Sequence, residues 1–262
     1  MDTGSTDRTV EIARRMGAKV YHFEWIDDFA AAKNYAISKA DYDWIAFLDA
    51  DEYFSSEDAE KIRCYVERIQ DRYDCIISAL IELDNNGKVL MVNSQIRIFR
   101  NLPVIRYRGR IHEYLERTDG RSMSCVDAVN ELSLYHTGYG ARENQEKKAD
   151  GRNLRLIRAE LAEHPEDWKM WGYLGNEYSA TGEFAQAEEA YRKAAALIPE
   201  KLETYDSRAA DIFSRLLDLL AFRTKAEQSE VMKVYEQAVR CRPQEADFDY
   251  VLGRYFASKG DY

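Results

Sequence analysis

The stretch Trp44-Ile45-Ala46-Phe47-Leu48-Asp49-Ala50-Asp51-Glu52 runs five apolar residues into a set of carboxylates. A short unbroken apolar run reads as a strand covered on both faces. Where it ends, the chain turns to solvent, and two aspartates one residue apart can reach a single cation there. Mg²⁺ and Mn²⁺ take oxygen ligands and keep part of their coordination shell for water or phosphate. Asp49 and Asp51 are therefore candidate holders of a metal–diphosphate. The plainer reading is turn chemistry, because Asp commonly follows strands and starts helices. Glycoside hydrolysis fits less well: a carboxylate pair one residue apart faces one cation, not two sides of a sugar.

The elements around this pair follow from local signals. Asp2-Thr3-Gly4-Ser5-Thr6-Asp7-Arg8-Thr9 has the makings of a tight turn, and Ser5, Thr6 or Asp7 can cap a helix from about Thr9 to Met16 that Gly17 ends. Lys19 to Phe23 reads as a strand, and Asp27 or Asp28 caps a helix from Phe29 to Ala40. With the central strand this gives an α/β unit with a parallel sheet. Such sheets bind ligands beyond the carboxyl ends of their strands, where Asp2 and the Asp49/Asp51 pair would both lie. Ser55 or Ser56 caps the next helix, to about Asp71. Cys75 to Leu83 reads as a strand, with a hairpin turn at Asn85-Asn86-Gly87-Lys88 and a partner at Val89 to Val92. Ser94 to Phe99 and Leu132 to His136 are further strands, and Ile105 to Leu115 mixes Arg, Tyr and Gly around Ile111-His112-Glu113.

After Gly140 strand-like alternation stops and Ala, Glu, Leu and Tyr dominate, which places a domain boundary near residue 141. A charged helix is expected from about Arg142 to Glu163. Trp171-x2-Leu174-Gly175-x2-Tyr178, Gly182, Ala187-x3-Tyr191, Ala194 and Pro199 match the tetratricopeptide pattern, with Tyr replacing Phe once. Tyr235, Ala238 and Pro243 repeat its second-helix positions, and Leu252-Gly253-x2-Phe256 with Gly260 begins a third copy. The spacing predicts an enlarged loop near Arg223 to Ser229.

The chain of 262 residues has room for one large domain or two small ones. Its formal net charge of −10 argues against nonspecific binding to nucleic acid or anionic membranes. A bound cation can still invert the local field for a diphosphate. Cys64, Cys75, Cys125 and Cys241 form no Cys-x-x-Cys pair and suggest no zinc site. Buried free thiols in a reducing cytosol are expected, with no membrane span and no signal peptide, hence a cytoplasmic protein.

Taken together, the first half resembles family-2 glycosyltransferases of the GT-A fold. The resemblance rests on Asp2-Thr3-Gly4-Ser5-Thr6-Asp7, Phe29-Ala30-Ala31-Ala32-Lys33-Asn34, Trp44 to Asp51, Gly109-Arg110-Ile111-His112-Glu113 and His136-Thr137-Gly138-Tyr139. Joined to tetratricopeptide repeats, the architecture is a bacterial one, similar to the sublancin-type glycosyltransferases. The resemblance implies an α/β GT-A domain over 1–141 followed by an all-α repeat region over 142–262. Family members open with a strand and helix ahead of the turn matching Asp2, so this chain is expected to be an amino-terminally shortened member. The implied activity is inverting, metal-dependent transfer of a sugar from a nucleotide diphosphate, most often a UDP-sugar. Mn²⁺ or Mg²⁺ is the implied cofactor. In that frame Asp51 is the metal ligand, Asp49 contacts ribose or metal, and His136 completes the metal shell. Asp2 contacts the base, Lys33 approaches the nucleotide, and Glu113 is the catalytic base with His112 beside it. The implied partners are the donor and a peptide, protein or glycan acceptor held by the repeats. Each residue also has a structural reading: Asp2 as a turn former, Lys33 on a solvated helix face, Glu113 paired with Arg108 or Arg110, and His136 as a strand-end histidine. The alternative for the whole chain is a non-catalytic repeat protein carrying a remnant transferase domain.

Overall fold

The computed structural model describes residues 1–137, 151–200 and 206–260. The chain divides into two compact units, Met1–Arg152 and Asn153–Tyr262. The boundary expected near residue 141, and the start of the helix expected from Arg142, lie outside the described residues.

In the first unit, helices α1 (Thr9–Arg15) and α2 (Phe29–Ile37) precede strands β1 (Trp44–Ala46) and β2 (Glu52–Phe54). Helix α3 (Ser56–Ile69) leads to β3 (Cys75–Leu83) and β4 (Val89–Arg100), followed by β5 (Ile105–Arg108), β6 (Tyr114–Arg117), β7 (Cys125–Asp127) and β8 (Ser133–His136). The main sheet has the order β1-β4-β3-β8-β2, with β7 also on β3, while β5 and β6 pair separately.

The sheet is mixed, which corrects the parallel arrangement expected of the opening α/β unit. β1 runs antiparallel to β4, from Trp44↔Arg100 to Ala46↔Ile98. Parallel pairs join β3 to β7 and to β8. The hairpin decides this. Gly87 adopts a left-handed φ of +78°, and the Asp84 side chain accepts the Asn86 and Lys88 amides. A two-strand hairpin is necessarily antiparallel. Its second arm continues as one long strand to Arg100, where two short strands were expected, and its far end takes β1. β1 therefore ends the sheet order and is half-buried, with Ala46 exposed, instead of covered on both faces. The Lys19 to Phe23 segment makes a single parallel bridge, Asp2↔His22, because Asp2 alone supplies a ladder partner. Short strands β2 and β7 were not anticipated.

Two apolar layers flank the sheet. Cys75 and Phe99 face one side with Ala30 and Ile37 of α2, Ile105 and Tyr107. Their strand neighbours Ile76 and Ile98 face the other side with Tyr65 and Ile69 of α3 and Leu132. The period-2 alternation of β3 and β4 feeds both layers.

From its first residue, Asn153, the second unit contains α4 (Arg152–Glu163) but for Arg152, then α5 (Trp168–Thr181), α6 (Phe184–Leu197), α7 (Ser207–Asp218), α8 (Gln228–Cys241) and α9 (Ala246–Lys259). The α5–α6 hairpin is the repeat read from the sequence. Asp167 caps α5 by accepting the Lys169 and Met170 amides, and Gly182 ends it at φ +82°. A Cβ on Gly175 would stand 2.5 Å from the Tyr191 ring, and one on Gly172 would stand 2.5 Å from the Ile212 side chain. Glycine at 175 is thus imposed by the buried Tyr191 ring, whereas at 172 the end of the Ile212 side chain would have to shift. The enlarged loop expected from Arg223 is instead partly helical. α7 continues through a π-helical turn, Leu219–Arg223, whose Leu219 and Leu220 are buried, and α8 begins at Gln228.

Candidate active site

Lys33 is placed by the helix that carries it. Asp28 caps α2 by accepting the Ala31 amide at 2.8 Å, while Asp27 takes a left-handed φ of +58° and accepts the Trp25 indole N–H. Next along, Asn34 pairs with the Tyr107 backbone as a strand would, donating Nδ2 to its carbonyl and accepting its N–H, both at 2.9 Å. These bonds lock α2 onto β5 and turn Lys33 inward. Lys33 is 7 % exposed, so it is not on a solvated helix face. Its ammonium lies 5.2 Å from the ring centres of Phe47 and of Tyr107, a cation–π floor.

Above that floor Lys33 Nζ bridges two carboxylates, Asp49 at 3.0 Å and Glu113 at 2.7 Å. Glu113 reaches it from the β5–β6 turn, where Gly109 has a φ of +90° and His112 a φ of +54°. The Phe29 amide donates to the Arg110 carbonyl at 2.9 Å and seats this turn on α2. Of the arginines considered for Glu113, Arg108 pairs instead with Glu116 at 2.6 Å.

Two residues absent from the sequence-derived site complete the cluster. Arg97 on β4 donates Nε and Nη2 to Glu52 at 2.8 and 2.6 Å, and Nη2 also to Asp49 at 3.0 Å. Burial opposes the Arg97 charge, but the hydrogen bonds and charge of Glu52 outweigh it, and the guanidinium is held above its ordinary range. One signal was available in the sequence. Arg97 stands between Ile96 and Ile98 and one residue before Phe99, so a charge at that end of the strand, where both faces are apolar, needed a buried partner. Beneath them the Tyr107 hydroxyl is buried without a hydrogen-bond partner among the described residues, and burial first, then the nearby Asp49, Glu113 and Glu52 carboxylates, push it upward against Arg97.

Asp51 and His136 meet on the other side of the turn, with 3.3 Å between Asp51 Oδ2 and His136 Nε2. The pairing of β2 with β8 brings them together, and Thr137 donates its amide (3.0 Å) and hydroxyl (3.1 Å) to the Asp51 carbonyl. Asp2 is apart from this cluster. It accepts from Gly4 and Ser5 within its own turn and pairs with His22 of the neighbouring segment, and among the described residues no hydrogen bond or ion pair joins it to Lys33 or Asp49. Bonds from Ser5, then Gly4 and His22, hold its carboxyl down at about 2.

The fit of a divalent cation follows from this inventory. Both oxygens of Asp49 already face cations, Lys33 and Arg97, so Asp49 is not a free ligand. Asp51 and His136 offer one oxygen and one nitrogen side by side, a donor set that Mn²⁺ accepts. Among the described residues no group of three or more His, Cys, Asp or Glu forms a closed metal cage. A two-residue site suits an ion that takes its remaining ligands from phosphate and water.

Residues 1–132, half of the sequence, match the model of Glycosyl transferase family 2. The chain belongs to that family. The match spans Asp2, Lys33, Asp49, Asp51, Glu52, Arg97, His112 and Glu113, and His136 lies just beyond it. A TPR repeat-containing protein of Synechococcus elongatus is 31 % identical over 193 residues, 72 % of this chain and 47 % of its own length. The SPbeta prophage-derived glycosyltransferase SunS of Bacillus subtilis is 31 % identical over 181 residues, 68 % of this chain and 42 % of its own. The chain thus spans about half the length of the curated relatives it matches. A solved structure of S. aureus TarS 1-349 aligns with all of this chain and 81 % of its own, at 14 % identity and a TM-score of 0.46. Family membership accords with the GT-A domain and helical repeats expected from the sequence.

Proposed function

We propose that this chain carries the catalytic centre of a metal-dependent, inverting glycosyltransferase that uses a nucleoside diphosphate sugar, UDP-sugar being the first choice. The observation that carries the reading is the convergence of Lys33, Asp49, Glu113, Arg97 and Glu52 in one ionic cluster, with Asp51 and His136 at its rim, inside the family-2 segment. In this reading Asp51 and His136 hold Mn²⁺ or Mg²⁺, which supplies Lewis-acid charge to the leaving diphosphate when bound. Glu113 takes the proton as the acceptor's heteroatom attacks the anomeric carbon. The new bond to carbon forms as the carbon–oxygen bond to the diphosphate breaks, and that bond's electron pair leaves with the diphosphate. Lys33 spaces Glu113 from Asp49, and the floor of buried Tyr107 and half-buried Phe47 keeps water from beneath the pair. Asp49 faces the ribose, and His112 shapes the turn that presents Glu113. Asp2 belongs to a base-contacting turn in the same reading.

The helical unit is read as the part that holds a peptide, protein or glycan acceptor, with the division at 1–141 and 142–262. Among the described residues no helix is long and apolar enough to cross a membrane, and a cytoplasmic setting accompanies this reading. Calorimetric titration of uridine diphosphate into this chain, with and without Mn²⁺, is the test. Binding that requires Mn²⁺ supports the assignment. Absence of binding in both conditions overturns it and leaves the repeat region as the working part.

A further inference from the structure

We propose that Arg97 is a positioning residue for the cation–diphosphate site, acting by holding the Asp49–Glu52 turn shut; this rests on the function proposed above. The turn closes on itself through two bonds. The Glu52 amide donates to the Asp49 carbonyl and the Asp49 amide donates to Glu52 Oε2, both at 3.0 Å. Arg97 adds a clamp from outside the turn, since one guanidinium grips the side chains of both end residues. Asp51 lies between those ends. Its carbonyl is pinned from β8 by Thr137, and its carboxylate faces His136. Arg97 thus fixes the ends of the turn and Thr137 its middle, and the Asp51 carboxylate stands beside His136.

The clamp also divides the labour of the two aspartates. Arg97 and Lys33 neutralise Asp49 from two sides, which withholds it from the cation, while Asp51 faces His136. A lysine cannot substitute, because a single ammonium lacks the planar fork that spans two carboxylates. Groups that orient ligands from behind change metal affinity on the order of 10- to 100-fold when altered.

The test uses this chain with Arg97→Lys, and Arg117→Lys as its control. Arg117 is equally buried and binds Asp74 and Asp119 at 2.7 Å, contacts that include none of the site residues. Thermal midpoint and Mn²⁺-dependent affinity for uridine diphosphate are measured for each. The expected result is a lower midpoint in both variants, with affinity falling on the order of 10- to 100-fold only in Arg97→Lys. Should Arg97→Lys fail to fold, Glu52→Gln, which keeps the side-chain size and loosens the same clamp, must show the selective loss. Wild-type affinity in a folded Arg97→Lys overturns the positioning role and leaves the proposed function standing. Equal loss of affinity in Arg97→Lys and Arg117→Lys also overturns it, since the effect is then one of stability. A wild-type chain that binds no uridine diphosphate with Mn²⁺ removes the function and this inference together.

Discussion

Asp49 and Asp51 look equivalent in the sequence, yet the fold sets Lys33 and Arg97 against Asp49 and His136 beside Asp51. Asp51→Ala is accordingly expected to abolish Mn²⁺-dependent binding of uridine diphosphate while leaving the thermal midpoint within a degree or two of wild type, roughly the effect of a surface substitution. Unchanged calorimetric binding in that variant would sink the metal assignment. Lys33→Met is a different kind of change. It leaves the largely buried Glu113 without its cation and Asp49 with Arg97 alone, so a loss of about 3 kcal/mol in urea unfolding is expected. Asp2 gives a pH-dependent case. Its carboxyl is held at about 2 against an ordinary 3.8, so its turn contributes stability fully above pH 3.8 and loses it as pH falls through 2. Carboxyl carbon NMR should place its midpoint near 2; a midpoint at the ordinary value would show that the turn does not hold the charge.

At the scale of elements, caps and close approaches carry testable weight. The Asp28 side chain satisfies an amide at the start of α2, the helix that delivers Lys33 and Asn34. Asp28→Ala should cost about 1 kcal/mol in chemical unfolding. In the helical unit, Gly175→Ala forces a methyl into the Tyr191 ring, which is 1 % exposed and has little room to move. Overpacking of this kind costs roughly 1–3 kcal/mol. A neutral outcome in urea unfolding would show that α5 and α6 separate easily. Helices, caps and the hairpin were legible because their signals are local: Gly17, Asp28, Ser55, Gly87 and Gly182 all stand where a turn or cap requires them. Strand pairing was not. Alternation in Cys75 to Leu83 says which side chains share a face, but not which neighbour lies alongside or in which direction.

At the scale of the molecule, two compact units, each with buried apolar residues of its own, predict departure from a single two-state transition in calorimetry. Uridine diphosphate with Mn²⁺ should raise the melting of one transition, as a ligand that binds only the folded form must. A uniform shift of one sharp transition would contradict both points. The sequence by itself determined the parts. The Asp2 turn, the Lys33-Asn34 helix, the Asp49/Asp51 strand end and the tetratricopeptide spacing are local patterns of residue type. Because each is read within a turn or two of chain, their succession was enough to point to the family and to its repeat region. Only the tertiary structure decided how the charges are shared. Arg97 meets Glu52 across 45 positions and Asp49 across 48. Those contacts depend on β4 taking β1 on its far edge and on α2 docking against β5. Register and docking arise from packing the whole unit, and no local period encodes them.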